Sequence, residues 1–282
     1  MSVKTTKGAG RGTVGSLGLQ LVLILGVIIS VFPFYWSFIG ATNSSGEIFS
    51  VPPNFLPGDE AAQNFRNLQE EIGFARAMGN SLFIALTYTV LGVLISSLAG
   101  YAFAKFRFRG RESIFFVLLL AVIVPYQVTL VPLFQIMVFL GWINTFQAIV
   151  LPNLALPFGI FLMRQNMTSL PDDLIEAARV DGCGELRIFW NIVLPTMRPA
   201  LAALAIYMFV FQWNNFMWPL IALRTEEMYT VPVALSSLIG LQRIDYGQLM
   251  MGTSLAVIPI MIFFLLLQRQ FIAGILSGSV KG

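Results

Sequence analysis

Six stretches of this chain run for twenty residues or more without a lysine, arginine, aspartate or glutamate: 17–39, 81–104, 113–140, 143–162, 200–223 and 249–268. An α-helix rises about 1.5 Å per residue, so about 20 apolar residues cross the roughly 30 Å hydrocarbon core of a bilayer. The rest of the composition agrees. The chain is 57% hydrophobic and 11% charged, whereas a soluble domain carries roughly 25% charged residues. The expected fold class is all-α, a polytopic membrane protein with six transmembrane helices. The third stretch is long and holds Pro125 and Pro132, so a tilt or kink is expected there. The first follows Lys4, Lys7 and Arg11. It is longer than the core of a signal peptide and lacks a following A-x-A site, which predicts an uncleaved anchor.

Basic residues give the expected orientation. One compartment collects Lys4, Lys7 and Arg11 in the tail 1–16, and Lys105, Arg107, Arg109 and Arg111 after the second stretch. To it also belong Arg164, Arg179, Arg187 and Arg198 after the fourth, and Arg269 and Lys281 in the tail 269–282. The other has only Arg66, Arg76, Arg224 and Arg243. The positive-inside rule then predicts that both termini are cytoplasmic. Two external segments, 40–80 and 224–248, are either solvated connectors or docking surfaces for an external partner. The first contains 64–78, which reads as an amphipathic helix with Phe65, Leu68, Ile72 and Phe74 on one side, and Asn80 is placed to cap the second span.

Several function classes are disfavoured. The chain has no histidine and a single cysteine, Cys183, so the commonest general base and any cysteine-based metal site within the chain are missing. No metal site is expected. The net charge of +3 is spread over short clusters, which does not predict a nucleic-acid partner. No H-E-x-x-H or G-x-S-x-G occurs, no titratable pair lies in a span, and Ser96 and Ser97 have no base near them in sequence. A membrane-embedded enzyme is therefore a distant alternative, and no catalytic residue is assigned.

The cytoplasmic loop 164–199 is far longer than the usual connector of about 2–8 residues. Ser169 followed by Asp172 resembles a capping box, with Pro171 in the first turn. Asp172, Asp173 and Glu176 suit the positive end of a helix, and Gly182 suits the left-handed position just past its end. A second short helix over roughly 185–193 is expected to stop before Pro195. Ala177 and Ala178 leave room for another backbone, while Glu176 and Asp181 offer carboxylates to a partner's arginine. The loop reads either as a docking element or as a helix resting on lipid headgroups.

The run Glu176-Ala177-Ala178-Arg179-Val180-Asp181-Gly182, followed by Ile192-Val193-Leu194-Pro195 and Pro199, resembles the EAA motif of ATP-binding-cassette importer permeases. Asn80-Ser81-Leu82, the run WNNFMWPL from Trp213 to Leu220, and GSVKG from Gly278 to Gly282 are similar to the carbohydrate-uptake branch. The whole chain resembles the smaller permease subunit of maltose-type transporters, with Cys183 where that branch usually has alanine. The resemblance implies a type I importer permease fold in a bacterial or archaeal cell (inner) membrane. It implies a second permease subunit, two copies of an ATPase and an extracytoplasmic solute-binding protein as partners. No phosphate loop GxxxxGK[ST] occurs here, so this chain is expected to bind no cofactor, with ATP and Mg held by the ATPase. Glu176, Ala177, Ala178, Asp181 and Gly182 would form the ATPase-coupling helix, and Lys281 and Gly282 would reach the ATPase interface.

The spans carry neutral polar groups where a carrier's path is expected: Tyr126 and Gln127 in the third, Asn153 in the fourth, and Gln212, Trp213, Asn214, Asn215 and Trp218 in the fifth. Amides can serve sugar hydroxyls as donors and acceptors, although amides in spans also bond helices together. A carbohydrate is the expected solute, imported by alternating access. Glycerol-3-phosphate or its diesters, carried by similar permeases, is the alternative.

Overall fold

The computed structural model describes residues 12–240 and 244–279, with side chains for 18–240 and 244–272. The described residues form helices α1 (Gly12–Ala41), α2 (Ser45–Ile48), α3 (Ala61–Ile72), α4 (Phe74–Lys105), α5 (Arg111–Leu120), α6 (Tyr126–Phe139), α7 (Phe146–Val150), α8 (Pro157–Thr168), α9 (Asp172–Val180), α10 (Glu185–Ile188), α11 (Leu194–Thr196), α12 (Arg198–Trp213), α13 (Met217–Ala222), α14 (Val231–Ile239) and α15 (Tyr246–Ser279). Among them three stretches are single helices long and apolar enough to cross a membrane: Gly18–Ala41, Phe74–Lys105 and Tyr246–Ile272.

Three further apolar stretches are bent pairs. Arg111–Ile123 meets Tyr126–Phe139 at 103°, Phe146–Asn153 meets Pro157–Thr168 at 44°, and Glu185–Thr196 meets Arg198–Trp213 at 83°. The kink expected in the third apolar stretch falls at Pro125, which is extended at φ −60° and ψ 129°, while Pro132 stays inside α6. The fourth is broken before Pro157, because the residue preceding a proline is pushed out of the helical region. The expected run 200–223 is two helices. α12 stops at Trp213, where the Asn214 amide donates to the Val210 carbonyl at 2.9 Å, a local bond that competes with the helix ladder.

The described residues divide into two compact units. In the first, drawn from Met1–Leu68 and Arg243–Leu255, α1 is almost bare along its apolar length and becomes buried only at Ile39–Ala41. There two buried asparagines gather the chain. Asn43 donates to the carbonyls of Ile39 at 2.8 Å and Leu56 at 3.2 Å, and Asn64 donates to those of Ala41 at 2.9 Å and Asn43 at 3.0 Å. Ser37 bonds Ser254 at 2.9 Å, and Ser45 donates to Asp245 at 3.0 Å. Each satisfies a polar group that would otherwise be costly at depth.

The second unit comes from Gln69–Gln242 and Ala256–Gly282. Its core is built on α4, α8 and α12 around Ile84, Tyr88, Met163, Met167, Phe189, Leu204, Met208 and Trp218. Small residues set the closeness of the helices. A Cβ on Gly100 would meet Met163 at 2.6 Å and the Arg164 backbone nitrogen at 2.9 Å, and one on Gly159 would meet Ser96 at 2.6 Å.

Two expectations around the start of α4 are corrected. The helix expected over 64–78 is interrupted at Gly73, whose φ of +57° is a left-handed conformation, and α4 begins at Phe74. Phe65 is exposed, unlike buried Leu68 and Phe74. Asn80 lies inside α4 and caps nothing there. Its amide instead donates to the carbonyls of Glu227 at 2.8 Å and Tyr229 at 3.0 Å.

Candidate functional site: a docking loop and a neutral polar cluster

The expected helix of the long loop forms as α9, and its ends are made differently from expectation at one side. Ser169 does not cap it. Its hydroxyl donates back to the Asn166 carbonyl at 2.7 Å and closes α8. Pro171 holds the entry to α9 with no side-chain cap, which leaves Asp172 free for a longer-range partner. The C-terminal end is as expected. Gly182 takes φ +79°, its N–H donates to the Arg179 carbonyl at 3.0 Å, and the Cys183 N–H donates to the Ala178 carbonyl at 2.9 Å. This is the paired 6→1 and 5→2 closure that a left-handed glycine permits. The second short helix does not stop before Pro195. A π turn over Phe189–Val193 joins α10 to α11, and Pro195 lies within α11 just after it.

α9 presents Glu176, Ala177, Asp181 and Gly182 to solvent, together with Leu174 and Val180. Ala178 is turned inward, 7% exposed beside Ile175, so Ala177 is the small residue on the outer face and Ala178 serves the core. Lys281 and Gly282 lie outside the described residues.

Ion pairs hold this loop. Lys105 Nζ donates to Asp172 at 2.6 Å and to the Leu170 carbonyl. The Lys105 bond draws the Asp172 carboxyl below its ordinary pKa. Arg179 Nε donates to Glu185 at 2.7 Å, and the Tyr101 hydroxyl donates to the other Glu185 oxygen at 3.0 Å. The Arg179 bond lowers the Glu185 pKa against the opposing pull of burial, and the same bond raises that of Arg179. At the neighbouring turn, Arg164 spans both Glu112 oxygens at 2.8 Å and lies 3.8 Å over the Phe115 ring. Lys105, Tyr101, Glu185 and Arg164 were not singled out from sequence for these bonds. The spacing of Tyr101 and Lys105 at the end of one helix was readable, but their partners are distant in the chain.

The eight pathway candidates separate into three kinds. Trp218 is fully buried and donates its Nε1–H to the Ala148 carbonyl at 2.8 Å. Trp213 is buried and stacks on Phe209 at 5.6 Å. Both are packing residues of the core. Gln127 and Asn214 are exposed, the latter tied to its own helix. The remaining four carry buried polar atoms with no hydrogen bond: the Tyr126 hydroxyl, the Asn153 and Asn215 amide nitrogens, and both side-chain polar atoms of Gln212. Tyr126 and Asn215 lie near enough to influence each other, yet neither the hydroxyl nor the amide nitrogen completes a bond of ordinary geometry.

A row of aromatic residues not evident from the sequence lies beside Asn153. The Tyr88 hydroxyl donates to the Asn153 carbonyl at 3.1 Å. Its ring lies 6.2 Å from Phe211, which lies 6.3 Å from Tyr207, which lies 4.8 Å from Phe158. Tyr207 and Phe211 are four residues apart and share one face of α12. That spacing was the available signal.

Comparisons with known proteins place the chain. Residues 92–277 match the family of the binding-protein-dependent transport system inner membrane component. The lactose transport system permease protein LacG of Rhizobium radiobacter is 40% identical over 92% of this chain and 94% of its own length. The arabinooligosaccharides transport system permease protein AraQ of Halalkalibacterium halodurans is 38% identical over 90% and 92%. The sn-glycerol-3-phosphate transport system permease protein UgpE of Yersinia enterocolitica is 33% identical over 92% and 95%. A chain from the crystal structure of a bacterial ABC transporter involved in the import of the acidic polysaccharide alginate has the same fold. Its TM-score is 0.79 at 24% identity, covering 94% of this chain and 100% of that one. With its apolar helices and this relationship along nearly its whole length, the chain belongs to the family of binding-protein-dependent transport system inner membrane components.

Proposed function

We propose that this chain is a permease subunit of an ATP-driven importer whose solute is a sugar or oligosaccharide. Three long helices, the bent pairs Arg111–Ile123 with Tyr126–Phe139 and Phe146–Asn153 with Pro157–Thr168, and α12 with α13 would make six crossings. The excess of lysine and arginine in alternate connections would put both termini and α9 in the cytoplasm. A second permease subunit would complete the path, two ATPase subunits would supply ATP and Mg chemistry, and an external binding protein would deliver the solute. α9 would seat in the ATPase with Glu176 facing an arginine and Ala177 allowing close approach. As the ATPase subunits close, α9 would move and the bundle would switch its opening from one side to the other.

The observation that carries the choice of solute is the set of buried, neutral and unpartnered polar groups in these stretches. The Asn153 and Asn215 amides, Gln212 and the Tyr126 hydroxyl offer donors and acceptors. The rings of Tyr88, Tyr207, Phe211 and Phe158 offer flat apolar faces, and no lysine or arginine lies in 81–104, 113–140, 143–162 or 200–223. An anionic solute would meet no compensating charge there. LacG and AraQ are named for a sugar and for oligosaccharides. UgpE favours a second reading, glycerol-3-phosphate or its diesters.

Competition for the partner binding protein separates the two. Displacement of a bound radiolabelled sugar by other sugars and not by glycerol-3-phosphate is the expected outcome; the reverse order overturns the sugar reading. For the docking role, Glu176→Lys is expected to abolish uptake while the subunit still inserts, and normal uptake by that variant would remove the role.

A further inference from the structure

The docking helix is held to the membrane bundle at both of its ends, and both attachments lead to one helix. At the N-terminal end, Lys105 bonds Asp172 at 2.6 Å and the Leu170 carbonyl. At the C-terminal end, Arg179 bonds Glu185 at 2.7 Å, and Glu185 accepts the Tyr101 hydroxyl at 3.0 Å. Tyr101 and Lys105 both belong to α4 and are four residues apart, so they stand on one face of it.

Each of the two is a built contact. Tyr101 is 4% exposed and the Lys105 side chain 5%. The Tyr101 ring is wedged between Phe106 at 5.4 Å and Phe189 at 5.6 Å. A buried ammonium without partners is costly, and both of Lys105's acceptors lie at the entry to α9. Separating α9 from α4 would strand that charge and the Tyr101 hydroxyl together.

α4 is suited to carry a movement. It runs unbroken through Phe74–Lys105 with no proline inside. Its other end is also tied. Asn80 donates to the Glu227 and Tyr229 carbonyls, and the Ser81 hydroxyl accepts the Val231 N–H at 2.8 Å. The three bent pairs have breaks that could absorb displacement; α4 has none.

We propose that Tyr101 and Lys105 are positioning residues that lock α9 to α4, making α4 the rod through which movement of the docking helix enters the membrane. This rests on α9 being the ATPase-docking element. Movement then travels as a rigid displacement along α4 to Asn80 and Ser81, and the segment they hold at Glu227–Val231 moves with it. The physical requirement is a rigid element engaged at both ends.

The test uses the complete transporter in lipid, with Cys183→Ala as background. Spin labels are attached through Asp173→Cys on α9 and Leu98→Cys on α4, and their separation is measured without nucleotide and after trapping with ATP and vanadate. The expected result is one unchanged distance distribution in both states. A shifted distribution would overturn the lock. Adding Tyr101→Phe with Lys105→Met is expected to broaden and shift the trapped distribution while the ATPase still copurifies, and Lys105→Arg alone is expected to keep it fixed. If the double variant also keeps a single fixed distance, the lock does not reside in these residues and the proposal fails. Glu176→Lys is the separate control. Retained ATPase binding and uptake in that variant would defeat the docking reading, whatever the label distances report.

Discussion

Around α9, the charges of Lys105, Arg179 and Arg164 each meet a carboxylate within 2.8 Å. Around the end of α12, Gln212 has no partner for either polar atom, and Asn215, Asn153 and Tyr126 each leave one unmade bond. A surface ion pair is worth little, but the Lys105 side chain is 5% exposed, and loss of its partner would be expensive. The loop therefore behaves as a fixed fitting. An unpaired buried amide costs about 1–3 kcal/mol, so these groups are held at a disadvantage. One region has its charges paired, and the other leaves polar groups without partners.

The largest effect is expected where α4 packs on α8. Gly100→Leu would drive a side chain into the Met163 side chain and the Arg164 backbone. It is expected to destabilise the subunit by about 3 kcal/mol, at the upper end of ordinary overpacking. Thermal unfolding in detergent would register it; an unchanged transition would mean that α4 and α8 can separate without penalty. Next comes Gln212→Leu, which removes two unpartnered atoms from the cluster. Stability is expected to rise by about 1–3 kcal/mol while uptake of the cognate sugar falls. A variant that is no more stable and transports normally would place Gln212 in neither role.

A smaller effect is expected at the turn after α9. Gly182→Ala forces a Cβ into φ +79°, at about 1–2 kcal/mol. Faster amide exchange at Cys183 would report the loosened closure, and exchange equal to the parent would show that the turn relaxes freely. The least perturbing probe is pH. Asp172 and Glu185 have folded pKa values depressed by Lys105 and Arg179. Their contribution is fully present above their unfolded values, about 3.9 and 4.3. It is lost as pH falls through the lower folded values. Exchange protection of α9 is thus expected to hold from pH 7 to pH 5 and to weaken only below about pH 4. Loss of protection on mild acidification would contradict the pairing.

The six apolar stretches and the exposed, glycine-ended helix α9 were legible because burial in lipid and left-handed closure are local demands. Each is written in consecutive residues. The breaks at Pro125 and before Pro157 were legible as proline positions but not as angles, since a bend depends on what packs beside it. The candidate path was only partly readable. Gln212 and Trp218 look alike as polar-capable residues near one break, yet Trp218 spends its donor on the Ala148 carbonyl seventy positions away and Gln212 spends nothing. Ala177 and Ala178 are equally small, and only the packing of α9 decides which one faces outward. Likewise Ser169 has the right spacing for a cap, but the end of α8 takes its hydroxyl first.

The π turn between Ile188 and Leu194 has a bearing on how this loop can change its length. Such a turn holds about one residue more than the α-helix around it needs. A deletion inside Phe189–Val193 could tighten the turn while leaving Ile188 and Met197 aimed at the core. The same deletion inside α9 would rotate every later position by about 100°, throwing Ile175 or Ala178 outward. Loss of one residue at this turn therefore leaves the outward face of α9 where it is.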